Sequence, residues 1–167
     1  TNSITKLNAT QAAAITTTAD SGASTIALSD ATGSSDAVSV NLGNGKGAAF
    51  NTGALTLNGF ETITLTSNPK SGNSDLDASI ASITADVATT INLNSNNKGT
   101  INLANAAVTK AATYDASGMT GALTVAGTLV VGSTLTGSPK GDTIALGTVG
   151  STYNGGAGAD GFTGTAL

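Results

Sequence analysis

Gly155, Gly156, Gly158 and Asp160 fall within one short stretch, Gly155-Gly156-Ala157-Gly158-Ala159-Asp160-Gly161-Phe162-Thr163. Glycines let a backbone turn tightly and enter conformations closed to other residues. Such a turn can aim its carbonyl oxygens at one point, and an aspartate adds a charged, hard oxygen. A donor set made only of oxygen suits calcium. The stretch satisfies the nonapeptide G-G-x-G-x-D-x-U-x at each specified position, U being a large apolar residue. That pattern binds calcium in parallel β-helices. U is expected to start a short strand and bury itself inside the coil.

The phase of the pattern extends upstream. Nine-residue steps back from Phe162 land on Tyr153, Ile144 and Leu135, all large and apolar. The same steps from Asp160 reach Ser151, Asp142 and Ser133. With two nonapeptides to a turn, Asp142 and Asp160 stack on one side. The segment Gly137-Ser138-Pro139-Lys140-Gly141-Asp142-Thr143-Ile144 is then a worn copy that keeps Gly137, Asp142 and Ile144. Calcium is expected between the two loops, among Gly137, Asp142, Gly155, Gly156, Gly158 and Asp160. Lys140 is expected to point outward. Ser151 stands where an acid would be needed on the opposite side, so no strong site is expected there. Plain Gly-Asp turns between strands are the alternative.

The elements that position these residues must be built from an unusual alphabet. Thr, Ala, Ser, Gly and Asn dominate the 167 residues, with no Cys, His, Trp or Arg. Aromatic residues are 3% and charged residues 10%, too few for a conventional globular core. A thin core of stacked Ile, Leu, Val and Ala remains available, and a solenoid needs no more, because each coil buries its face on the next. Disorder is a poor explanation, since hydrophobic residues make up 39% and charge is low. The expected fold is all-β, a right-handed parallel β-solenoid of short strands with Gly-, Asp- and Asn-rich turns. At roughly 20 residues per coil the chain makes about eight coils, and at about 4.8 Å each these form a rod about 40 Å long.

Three regions are expected. Residues 1–23 read as an irregular junction in which Ile4, Leu7 and Thr10–Ile15 could make one short helix, ended by the β-branched Thr16-Thr17-Thr18. Residues 24–132 read as an irregular solenoid. Strand-like alternation covers 24–28, 37–42, 61–66, 90–93, 100–103, 122–125, 128–131 and 143–146. Leu55 and Leu57 share a face, and Asn58-Gly59 marks a tight turn that could also close a hairpin in an antiparallel sandwich. The tetrapeptide Thr-Ile-x-Leu begins at residues 25, 62, 90, 100 and 143, at irregular intervals. Residues 133–167 hold the nine-residue phase.

The C-terminal nonapeptide resembles the RTX repeats of proteins exported by type I secretion. Gly33–Leu42 and Leu55–Leu65 are similar to phrases in large bacterial surface-layer proteins and RTX adhesins. The resemblance implies a secreted, calcium-dependent structural protein that forms a crystalline coat at the cell surface, of which this chain would be a piece. It further implies that calcium acts as a switch. The chain stays unfolded where calcium is scarce and folds outside the cell, where millimolar calcium fills sites of modest affinity.

Weaker cation candidates are Asp30 with Asp36, which flank a Gly-Ser turn, and Asp75 with Asp77, two acids on one strand face. Solvated loops are the simpler account of both pairs. Glu61, the only glutamate, is expected to bond loop amides, and Asp86 and Asp115 to cap turns or face solvent. The net charge of −4 with scattered lysines argues against a nucleic-acid partner. No apolar run is long enough to span a membrane. Without His or Cys, and with no cluster of acids beside a Lys, no enzyme is expected. The expected role is a module of an extracellular lattice whose partner is itself, with cell-surface polysaccharide as a further partner. An RTX adhesin or other extracellular binding module is the alternative, weakened by the shortage of aromatics for stacking on glycans.

Overall fold

Short runs of Thr, Val, Ile and Leu alternating with small polar residues fit a pleated, half-buried surface. The computed structural model describes residues 2–17, 22–43, 50–68, 77–96, 100–104, 106–147 and 150–164. In chain order the elements are β1 (Asn2–Leu7), α1 (Ala9–Ala12), β2 (Ile15–Thr17), β3 (Ser24–Leu28), β4 (Ala37–Leu42), β5 (Phe50–Thr56), β6 (Thr62–Ser67), β7 (Asp77–Ala85) and β8 (Thr90–Ser95). They continue with β9 (Thr100–Leu103), β10 (Ala106–Val108), β11 (Thr113–Asp115), β12 (Leu123–Val125), β13 (Thr134–Thr136), β14 (Thr143–Ala145), β15 (Thr152–Asn154) and β16 (Gly161–Thr163).

The strands form two parallel sheets. One runs β1-β3-β5-β7-β9-β12-β14-β16, with β10 also on β7; the other runs β15-β13-β11-β8-β6-β4-β2. The chain thus passes back and forth between two sheets and advances by one strand at each return, which is a parallel β-solenoid. Every strand pairing among the described residues is parallel, so the antiparallel sandwich is excluded and Asn58-Gly59 closes no hairpin. It turns the chain from β5 in one sheet to β6 in the other, with Gly59 at φ +82°.

Register stacks like on like. Val38, Ile63, Ile91, Tyr114, Leu135 and Tyr153 follow one another across one sheet. Ile80, Leu103, Val125, Ile144 and Phe162 do so across the other. These columns fill the interior, and all but Tyr153 and Phe162 are buried. Outside, Thr62, Thr90, Thr113, Thr134 and Thr152 form a threonine column. The register also explains the irregular tetrapeptides. Those at 62 and 90 are neighbours in one sheet, whereas those at 90 and 100 belong to opposite sheets.

From β6 onward coil length shortens along the chain. Thr62 lies beside Thr90 and Thr64 bonds Asn92 28 residues on, whereas Thr134 and Thr113 are 21 apart and Asp142 and Asp160 are 18 apart. The shortest coils are those of the nonapeptide phase, where Leu135 pairs with Tyr153 and Ile144 with Phe162.

Several expectations need correction. The N-terminal segment is already part of the solenoid. Ile4 and Leu7 lie in β1, paired with β3, while the helix is a single turn, Ala9–Ala12. Asn8 starts that turn by a reciprocal capping box with Gln11, and Ile15–Thr17 join the other sheet. Residues 128–131 form no strand. There Leu129 is buried, Val131 is 56% exposed, and Ser133 N donates to Val130 O in a turn with Gly132 at φ +86°. Phe162 is 45% exposed rather than interior, because β16 has a neighbour on one side only. The longest strand, β7, was not expected. Its buried Ile80 and Ile83 are three apart, the alternation being interrupted at the exposed Ala81, as it is in β5 between Thr52 and Leu55 at Gly53, where a Cβ would meet the Gly22–Ala23 backbone.

Candidate metal centre

The two loops of the C-terminal coils stack as their spacing requires. Gly161 N donates to Asp142 O at 2.8 Å, and Gly137 N donates to Asn154 O at 2.7 Å. Gly156 and Gly158 adopt φ of +87° and +119°, values that only glycine takes readily. The loops touch closely. A Cβ on Gly156 would meet Ser138 O, and one on Gly158 would lie 2.5 Å from the Lys140 carbonyl carbon. Lys140 is exposed, as expected.

Both aspartates face into this stack. Asp142 is 2% exposed. Its Oδ1 accepts from Leu123 N at 2.8 Å and from Ser138 Oγ at 2.6 Å, and its Oδ2 accepts from Ser138 N at 2.6 Å. Asp160, half-buried, repeats the first of these one coil later, its Oδ1 accepting from Asp142 N at 3.0 Å. Its Oδ2 lies against Gly155. The oxygens gathered around Gly137, Gly155 and Gly156 are Gly137 O, Ser138 O, Gly155 O and the two Oδ2 atoms. The chemistry of this set, carbonyls and carboxylates only, fits a hard cation such as calcium. No group of three acids, His or Cys exists among the described residues, so carbonyls would have to supply most ligands.

The acids share a second property that their sequence positions did not reveal. A carboxylate in a later coil repeatedly accepts a backbone N–H of the coil before. Glu61 Oε2 takes Asp36 N at 2.8 Å, and Asp86 Oδ1 takes Gly59 N at 2.8 Å. Asp142 and Asp160 follow the same rule. Ser133, in the same phase on the opposite side, takes Ala112 N at 3.1 Å through Oγ. All but Leu123, which opens β12, lie outside the strands, and a charged acceptor is among the stronger ways to satisfy such amides. Glu61 thus bonds an amide as expected, and Asp86 faces solvent as expected while also reaching across coils to Gly59 N.

Among the described residues the weaker candidates form no group of three metal-binding side chains. Asp30 is fully exposed and accepts from Thr32 N and Thr32 Oγ1 at 3.1 and 2.6 Å. These bonds, the hydroxyl's first, hold its pKa below the usual carboxylate value. Asp36 covers Gly33, and its Oδ2 is buried without a hydrogen-bond partner. Asp77 opens β7 beside Thr100, while Asp75 lies outside the described residues. Asp115 caps its own turn by accepting from Ser117 N at 2.9 Å, and the Ser117 hydroxyl first, then this amide, lower its pKa.

A second feature is a groove of about 360 Å³ on the larger sheet, lined in part by Asn51, Gly53, Ser79, Ala81, Asn102 and Ala104. Asn51, Ser79 and Asn102 are register neighbours on three successive strands. Among known protein families, curated proteins and solved structures, none matches this chain.

Proposed function

We propose that this chain is a structural module of a secreted, calcium-dependent bacterial surface-layer lattice. The observation that carries the reading is the stack of two glycine-rich loops at an 18-residue step, with Asp142 and Asp160 on one side, at the end of a parallel solenoid. The faces offered to neighbours suit chain-to-chain packing, being columns of Thr, Ser and Asn rather than charge. Calcium would be held by loop carbonyls with Asp160, and supplies there a positive charge that draws the glycine-rich loop against its neighbour. Two upstream corners are closed without an ion by the carboxylates of Glu61 and Asp86, and neither has the stacked glycine-rich loops of the terminal coils. Calcium therefore acts on the terminal coils, where assembly contacts and order are gained together. The role is a scaffold outside the cell rather than catalysis, with copies of itself as partner.

The groove beside the Asn51, Ser79 and Asn102 row supports a second reading, an extracellular binding module that takes a polysaccharide there. Phe50, Phe60 and Tyr114 are buried, which leaves Phe162 on the last strand as the one exposed aromatic side chain among the described residues and disfavours stacking on sugar rings along the groove. Light scattering and circular dichroism during a calcium titration of chelator-treated protein distinguish the readings. Growth of large particles at millimolar calcium, reversed by chelator, supports the lattice. A monomer that ignores calcium but is retained by immobilised cell-surface polysaccharide supports the binding module.

A further inference from the structure

The two stacked loops share one pattern but close differently, and the difference lies at its second position. The terminal loop has Gly156 there, and Gly156 N donates to Asn154 Oδ1 at 3.0 Å, away from Asp160. The upstream loop has Ser138, which is fully buried. Ser138 gives both its N–H and its hydroxyl to Asp142, each at 2.6 Å, and its Oγ accepts from Lys140 N at 3.1 Å. With Leu123 N, Asp142 has three donors, and a carboxylate offers about four acceptor positions. A calcium ion bound to Asp142 would sit about 2.3–2.6 Å from the carboxylate oxygen. The Ser138 hydroxyl oxygen already occupies that distance at 2.6 Å. Lys140 adds a positive charge to the same loop, which opposes a second cation.

We infer that the Ser138 hydroxyl takes the place of a calcium ion in the upstream loop, so that Asp142 is a hydrogen-bond anchor and calcium is confined to the Asp160 loop. The inference rests on the calcium reading proposed above. The hydroxyl does for Asp142 what an ion would do for Asp160. It bridges the carboxylate to the loop backbone, here through Lys140 N, and does so at any calcium concentration. The upstream coil is then a permanently closed seat on which the calcium-dependent terminal coil docks.

Two variants test this in the full chain. Ser138→Ala removes the hydroxyl and keeps the backbone restraint, and Ser138→Gly restores the pattern. Thermal unfolding in excess chelator is expected to fall by a few degrees for both. Calorimetric titration with calcium chloride is expected to find one ion in the wild type, the same one in Asp142→Asn, and an additional ion in Ser138→Gly, whose melting temperature then recovers. Asp160→Asn is expected to lose the wild-type ion. The inference is overturned if Ser138→Gly gains no calcium, if Ser138→Ala melts as the wild type does in chelator, or if Asp142→Asn loses the wild-type ion. A wild type that binds no calcium removes the lattice switch. Gain of an ion by Ser138→Gly would still uphold the role of the hydroxyl, so the two failures are separable.

Discussion

Tyr114→Phe should stabilise this protein, although it removes a polar group. Tyr114 lies between Ile91 and Leu135 in register, is 0% exposed, and carries a buried hydroxyl with no hydrogen-bond partner among the described residues. An unpartnered buried hydroxyl costs about 1–3 kcal/mol on mutational scales. Phenylalanine keeps the ring, and the void left by one oxygen costs a few tenths of a kcal/mol at about 24 cal/mol per Å³. The net gain is about 1 kcal/mol at neutral pH. Burial first, then the neighbouring Tyr153, also push the Tyr114 ionisation upward from 10.0. Above about pH 10 an unfolded tyrosine releases its proton while folded Tyr114 retains it. The unfolded state then binds fewer protons, and stability falls with rising pH by up to about 1.4 kcal/mol per unit. Below that pH the group adds no slope. Urea unfolding at pH 7 and pH 11, read by far-UV circular dichroism, measures both effects. The wild type should lose more stability than the variant between the two, and part of its tyrosinate absorbance should appear only on unfolding. A variant destabilised by about 1 kcal/mol at pH 7, or one with the wild-type alkaline slope, would refute the reasoning.

Other perturbations follow from the same contacts. Glu61→Ala strands the Asp36 amide and should cost about 2 kcal/mol in urea unfolding, with Glu61→Gln costing less because it keeps an acceptor; equal effects of the two would contradict this role. Gly155→Ala places a Cβ against the Asp160 carboxylate, so amide exchange should speed in the terminal coil and stay unchanged around β6 and β8. Asp30 and Asp115 should both titrate below 3.8 by carbon-detected NMR, their capping bonds being present at neutral pH and lost as pH falls through those lowered values. Thr32→Ala should return Asp30 toward its ordinary value, and no change would mean that the turn bond is absent in solution.

Legibility in the sequence followed the strength of alternation. β4 and β9 were legible to the residue, and β6 and β8 nearly so, because each sets Val, Ile or Leu at every second position over a polar exterior. β7 escaped because its alternation is interrupted at Ala81, which changes the spacing of buried isoleucines from two to three and imitates no strand. β11 escaped because three residues with one apolar side chain carry too little pattern, although Tyr114 is fully buried. Residues 128–131 misled in the opposite sense, since apolar residues at a coil corner need not alternate between two faces. At the loops, the 18-residue step foretold that Asp142 and Asp160 would stack. It could not foretell what their carboxylates bind, because one donor to each is a backbone amide of the coil before, and every residue but proline has one. Ser138 read as simple wear in the pattern. Its importance emerges only from the burial that puts its hydroxyl on Asp142.

The most direct test of the lattice account is electron microscopy of chelator-treated protein before and after addition of millimolar calcium, with Asp160→Asn beside it. The account predicts dispersed particles in chelator, ordered sheets or filaments in calcium, and dispersed particles for the variant in both. Dispersed wild-type particles in calcium, or ordered arrays that form equally in chelator, would contradict it.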